Sequence, residues 1–202
     1  MDSDRACSIL GAAWQGAAKG CKHAIFLAVG TGIGAGILID GKVLRGAHDI
    51  AGAVGWMALD RPLRPEYVSC GCFEHHASGE GLAKTAKELL ASKQLSGSKH
   101  MRTQPTAREI LSAYDRNNPL AKVVLEEVIY FWGMAVSNLI SIFNPERIIF
   151  GGGVFGPAKK FLPPIHAETE KWAQPIAIKQ VKLLASKLGP NAALAAPATS
   201  LC

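Results

Sequence analysis

The sequence carries no run of basic residues. Its 22 Lys and Arg outnumber its 16 Asp and Glu and leave a formal charge of +6, a balance that suits an anionic ligand such as a nucleotide or a nucleic acid. The bases are scattered, however. Lys159-Lys160 is the densest pair and reads as a solvated helix face, and no aromatic-interleaved platform accompanies it, so nucleic-acid binding is not expected. Cysteine is scarce as well. Cys7, Cys21, Cys70, Cys72 and Cys202 are odd in number and irregularly spaced, which argues against a disulfide framework. No secretory leader is expected, because Met1-Asp2-Ser3-Asp4 is acidic where a basic segment should stand. The longest charge-free apolar stretch in a helical context, Val128 to Phe143, falls short of the roughly 20 residues that cross a bilayer. These absences predict a soluble cytoplasmic protein with no membrane partner. What is present, 49% hydrophobic against 19% charged residues in 202, is a globular composition with room for a sizeable core. We read residues 1–202 as a single domain.

Periodicity supplies the elements. Apolar residues at helical spacing (Ile9, Leu10, Ala13, Ala17) predict a helix over 4–20. Ala24 to Val29 reads as a buried strand that ends in glycines, and Asp40-Gly41 between apolar runs signals a hairpin, since both central turn residues need positive φ. Pro62 and Pro65 break any long element between Gly46 and Ser69. A helix is expected from Glu74 to Ser92, an exposed loop over 94–104, and a short helix over 106–114 with a Thr106/Glu109 capping box. Pro119 opens the longest helix, which Asn144-Pro145 ends; Arg147 to Phe150 is a strand running into Gly151-Gly152-Gly153, and Pro157 opens another helix. A strand over 176–181 and a closing helix over 191–198 complete an α/β chain.

The segment Gly30-Thr-Gly-Ile-Gly-Ala-Gly36 carries the chemistry. Backbone N–H groups with no side chains in the way can wrap phosphate oxygens, and Thr31 adds a hydroxyl donor. A P-loop would end in Gly-Lys-Ser/Thr, which does not follow. A dinucleotide fingerprint needs a helix directly after the glycines, where the Asp40-Gly41 hairpin puts a strand. Strand–GTG–strand–DG–strand is the phosphate loop of actin-like ATPases and sugar kinases, the alternative being a tight hairpin without a ligand.

Around that loop the sequence is similar to ROK sugar kinases. Phe26 to Ala47 resembles their second phosphate loop, and four further motifs follow in the family's order. These are Ala51-Gly52-x-Val54-Gly55, Cys72-Phe-Glu74-x-x-Ala-Ser78-Gly79, Asn144-Pro145-Glu…Ile149-Phe-Gly-Gly-Gly153 and Leu188-Gly-Pro-Asn-Ala192. The resemblance implies an incomplete actin-like ATPase (ribonuclease H-like) fold, mainly its larger C-terminal lobe. It implies ATP with Mg²⁺, a hexose or N-acetyl hexosamine as substrate, and a homodimer.

By the same resemblance Asp2 is the general base that takes the proton of the sugar hydroxyl, its other reading being a helix N-cap. Gly30, Thr31, Gly32 and Gly34 hold phosphate. Gly151, Gly152 and Gly153 meet adenosine or form a plain strand-to-helix turn. Glu74 and Gly52 belong to the sugar site, Glu74 otherwise being an ordinary first-turn glutamate. Two departures stand out. Ala53 and Trp56 occupy the places of a sugar-binding glutamate and a histidine that contacts sugar and ligates zinc; Trp56 either stacks on a sugar ring or fills the space left by the metal. Of the family's zinc cysteines only Cys72 matches, with Cys70 nearby, and His75 and His76 are expected to face solvent, so zinc is not expected.

The family's Asp-x-Gly-Gly-Thr loop, which holds Mg²⁺ and the outer phosphates, has no counterpart in the chain. The resemblance therefore implies a chain inactive on its own, with the surface of residues 24–45 left partly uncovered. Two other readings remain open at this point: a non-catalytic, sugar-sensing regulator, and a truncated remnant without a ligand.

Overall fold

A computed structural model describes residues 4–91 and 104–187. Asp2, the Leu188–Ala192 motif, the 191–198 helix and all but the last residue of the 94–104 loop lie outside them. Helix α1 (Asp4–Trp14) precedes the strands β1 (Ala24–Val29), β2 (Ile33–Ile39) and β3 (Lys42–Val43). The helices α2 (Tyr67–Cys70), α3 (Cys72–Ala77), α4 (Gly79–Ala91), α5 (Ala107–Asp115) and α6 (Pro119–Phe143) follow. Then come β4 (Arg147–Gly151), a 3₁₀ turn at Pro157–Phe161, α7 (Leu162–Glu170), α8 (Ala177–Gln180) and β5 (Lys182–Ala185).

The sheet runs β3-β2-β1-β4-β5. Strands β1 to β3 form an antiparallel meander, with Asp40 (φ 49°) and Gly41 (φ 75°) in the positive-φ turn that the Asp-Gly pair predicts. Strand β4 pairs parallel to β1, and β5 parallel to β4. A parallel neighbour requires a crossover, and α2 to α6 supply it. Alternation along β1 sends Phe26 toward α1, where it joins Ile9, Ala12 and Ile149, and sends Ile25, Leu27 and Val29 into the larger core around α6. Both faces of the central strands are thus covered. The uncovered surface expected at residues 24–45 is not found over β1 and β2, because α1 shields one face and the crossover helices the other.

Helix α6 is the keel of the larger core. Asn118 caps it by accepting a hydrogen bond from the Ala121 N–H, Pro119 sits in its first turn, and Asn144 closes it in the left-handed region. Its 25 residues are long and apolar enough to cross a membrane, which the shorter charge-free stretch did not suggest. Burial against α3, α4, α5 and α7 accounts for that apolarity. Trp132 is wholly buried, and its indole N–H donates to the Ala77 carbonyl at 3.1 Å.

Three predicted elements are corrected. The first helix ends at Trp14 rather than Gly20. The Gly16 and Ala18 amides both fold back to the Ala12 carbonyl, and Gly20 takes positive φ. The single helix over 74–92 is two, because Ser78 is extended (ψ 173°) between α3 and α4. The strand over 176–181 is the short helix α8, whose start is capped by the Gln174 side chain accepting from the Ile176 and Ala177 amides; the strand, β5, lies just beyond it.

Trp132→Phe keeps an aromatic ring but removes the indole N–H that the buried Ala77 carbonyl accepts and part of the volume that fills the core. It should lower unfolding free energy by about 1–3 kcal/mol, measured by urea denaturation.

Candidate functional site

The glycine loop is shorter than its sequence. Only Gly30-Thr31-Gly32 lies between the strands; Gly34 and Gly36 belong to β2, where they pair with Ala28 and Phe26. Both make room for α1: a Cβ at Gly34 would meet the Arg5 stem at 2.8 Å, and one at Gly36 would overlap the Arg5 carbonyl. Within the loop the Gly30 N–H donates to the Gly32 carbonyl at 2.9 Å, and the Gly30 carbonyl accepts from the Gly79 N–H at 2.7 Å. Among the described residues, chain neighbours aside, no atom lies within 4 Å of where a Gly30 Cβ would stand. Thr31 is exposed.

Two cavities meet at Gly30. The larger, about 560 Å³, lies between Gly30-Thr31, Gly153 and the helices that carry Glu80 and Arg108. The smaller, about 420 Å³, lies between α1 and α3 and is lined by Arg5, Ser8, Gly32, Ala53, Trp56 and Glu74. Glu74 is held in place: its Oε2 accepts from the Ile33 N–H at 2.6 Å, and Gly32 and Gly55 have no side chain to displace it.

The other predicted site residues divide between lining and support. Gly153 faces the larger cavity with open space above it. Gly152 borders the smaller one in a positive-φ conformation (88°), and a Cβ there would overlap the Val29 carbonyl. Gly151 is packed against the Phe26 ring inside β4. Gly52 (φ 87°) accepts from the Ala35 N–H at 2.8 Å and lies tight against β2, beside the lining residue Ala53. Sequence reasoning missed Arg5, Ser8, Glu80, Gln104 and Arg108. The Thr106 capping box located the start of α5, as found, but no local signal says that this helix faces the glycine loop.

Trp56 does not fill space inside the fold. It is 57% exposed on the cavity rim, an apolar face open to a ring-shaped ligand. His75 and His76 do not face solvent as expected. His76 is 6% exposed, stacked on Phe131 and hydrogen-bonded to Tyr67, while His75 is half-buried. Burial and the neighbouring Lys84 hold the His75 pKa below its ordinary value. Cys70 directs its thiol to the Glu66 and Gly71 carbonyls. Among the described residues no group of three or more His, Cys, Asp or Glu is arranged to hold a metal ion.

Residues 1–199 match the ROK family. A glucokinase of Halalkalibacterium halodurans is 32% identical over 198 residues, which are 95% of this chain and 60% of that protein. A xylose repressor of Caldicellulosiruptor bescii is 33% identical over 158 residues, 75% of this chain and 39% of the repressor. Among solved structures, a ROK family glucokinase from Streptomyces griseus in complex with glucose and AMPPNP superposes with a TM-score of 0.81 at 27% identity, covering 97% of this chain and 65% of that one. The fold is that of the actin-like ROK sugar kinases, and the chain spans less than two thirds of these relatives.

Gly152→Ala and Gly153→Ala should separate support from lining. The first forces a Cβ into positive φ and into a carbonyl, and should cost roughly 2–3 kcal/mol of stability; the second should change it by less than about 0.5 kcal/mol. Parallel urea titrations compare them.

Proposed function

This chain belongs to the ROK family, and from that premise we propose that it is the sugar-binding part of an ATP-dependent kinase acting on a hexose or N-acetyl hexosamine. The activity is that of a whole protein of the relatives' length. The observation that carries the reading is the meeting of the two cavities at Gly30. Phosphoryl transfer needs a donor and an acceptor aligned across one point and charge stabilised between them. The larger cavity suits a nucleotide. Gly30 and Gly153 leave open space where side chains would stand, and the Thr31 and Gly32 amides with the Thr31 hydroxyl offer donors to its phosphates, the Gly30 amide being taken by the Gly32 carbonyl. ATP, with Mg²⁺ on its outer phosphates, supplies the transferred group.

The smaller cavity takes the acceptor. Glu74, fixed by the Ile33 amide, keeps its other carboxylate oxygen for sugar hydroxyls, and Trp56 offers an aromatic face to the pyranose ring. Ala53, also in the lining, contributes no acceptor, so recognition leans on Glu74. Asp2 as general base follows from the family resemblance. So does pairing of two copies, and a cytoplasmic location belongs to the same reading.

A second reading, a sugar-responsive regulator, is favoured by one observation. Ala53 and Trp56 replace the family's glutamate and histidine in the lining, and a xylose repressor is among the similar proteins. Sugar binding without ATP binding in the full-length protein would select it.

Calorimetric titration with glucose, N-acetylmannosamine and, separately, ATP·Mg²⁺ tests the proposal. Glu74→Gln should weaken the bound sugar about fivefold or more, since a hydrogen bond to a carboxylate exceeds one to an amide by about 1 kcal/mol. Equal affinity in wild type and variant would remove Glu74 from the site, and no heat with any sugar would overturn the reading.

A further inference from the structure

The α1 wall of the smaller cavity carries a cation that the proposed chemistry does not use. Arg5 is half-buried in that wall. Its stem lies across β2 at Gly34, where a Cβ would come within 2.8 Å of Arg5 Cδ and 3.2 Å of Cγ. Two positions on, a Cβ at Gly36 would overlap the Arg5 carbonyl and stand 2.8 Å from the Ile9 side chain. The strand is shaped to receive this arginine, and a larger residue at either glycine would push α1 away from the cavity.

The lining indicates what completes the site. Among the described residues the Arg5 side chain has no ion pair and no hydrogen bond. Glu74 is the carboxylate of the described lining, and its Oε2 accepts from the Ile33 amide rather than from Arg5. Ala53, Ser8 and Trp56 add no charge. A guanidinium and a carboxylate therefore stand apart in an otherwise neutral cavity. A half-buried guanidinium gives up hydration and receives no ion pair in return. A planar carboxylate from a ligand would meet its N–H groups two at a time.

We infer that the acceptor bound here is an acidic sugar, a pyranose that carries a carboxylate, and that Arg5 is the residue that selects the acid group. Glu74 then takes hydroxyls and Trp56 faces the ring. The inference rests on reading this cavity as the sugar site. Position separates the role from one at the transferred phosphoryl group. Arg5 lines the smaller cavity and not the larger, and its stem crosses β2 at Gly34, past the 30–32 loop.

Calorimetric titration of the chain with two matched pairs tests this. Glucuronate against glucose, and N-acetylmuramate against N-acetylglucosamine, each set a carboxylate-bearing ring beside a neutral one. At least one acid should bind about tenfold or more tightly than its neutral partner, the effect of a charge-assisted hydrogen-bonded pair. Acetate, a carboxylate without a ring, should not displace it. Arg5→Met keeps a stem over Gly34 and removes the charge, and it should bring the acid down to the affinity of its neutral partner. Ala53→Glu leaves α1 untouched and sets a second carboxylate in the same lining, which competes for Arg5 and repels the acid. It should reverse the preference, and it decides the matter if Arg5→Met does not fold.

Neutral sugars bound as tightly as their acids overturn the inference and leave the sugar-site reading standing. Displacement by acetate overturns it too, because the net charge of +6 would then account for the binding. An Arg5→Met chain that keeps the acid preference and loses affinity for ATP·Mg²⁺ assigns the guanidinium to the phosphoryl side and likewise overturns it. No heat with any of the four sugars removes the sugar-site reading itself, and the inference with it.

Discussion

The site depends on one contact between two glycines. Gly30 leaves the central strand, and its carbonyl accepts from the Gly79 amide at 2.7 Å; a Cβ on Gly79 would stand 2.8 Å from that oxygen. The contact needs the start of α4 pressed against the glycine loop, and this is why the chain breaks at Ser78. There the Ser78 hydroxyl accepts from the Gly81 amide at 3.0 Å, and Gly81, without a side chain, fits against the His75 and His76 carbonyls. The break aims α3, with Glu74, into one cavity and α4, with Glu80, into the other. The Trp132 indole, bonded to the Ala77 carbonyl one residue earlier, fastens the junction to the core helix.

The sheet sets where this junction can act. Strands β1 and β4 run parallel, so the loops 30–32 and 152–153 leave from their carboxyl ends side by side, where open α/β sheets offer a crevice to ligands. Gly152 in positive φ and the Val154 amide, which donates to the Val29 carbonyl at 3.1 Å, turn the second loop back over the first. At the opposite end Glu146 accepts from the Lys22 and His23 amides at 2.8 and 3.1 Å, and these two bonds hold its carboxyl below the usual range. The entry to β1 is thereby tied to the entry to β4, and the spacing of the exits follows from it.

Short-range rules were sufficient where a residue type allows only one backbone. Asp40-Gly41 needed positive φ at both positions, Thr106 with Glu109 met the geometry of a capping box, and Pro119 with Asn144-Pro145 bounded α6 as read. They were insufficient where a distant partner chose. Nothing local to Ser78 reveals the break between α3 and α4, since the Gly30 carbonyl that it serves lies 48 positions earlier than Ser78 in the sequence numbering. Ile176 to Val181 is apolar enough for a strand, yet Gln174 caps a turn of helix there. The glycine run looked like one loop because composition cannot separate a glycine that meets ligand from one that admits a neighbouring helix. Gly34 and Gly36 are of the second kind.

The histidines show the same limit with more consequence. A charged or polar residue in the first turn of a helix reads as solvated, and burying one without partners is costly. His76 is buried because Asp60, Tyr67 and Glu127 arrive from three other elements to meet it. The segment between Trp56 and Cys72 is the one where the family resemblance anticipates metal ligands. In this chain it is fastened instead by a phenol, two carboxylates and an imidazole. Burial and the bond to Asp60 push the Tyr67 pKa upward, so the phenol keeps its proton and remains the donor across the physiological range. The Tyr67 hydroxyl, which meets Asp60 at 2.8 Å and His76 at 2.7 Å, therefore ties the loop after Met57 to α3, the helix that carries Glu74.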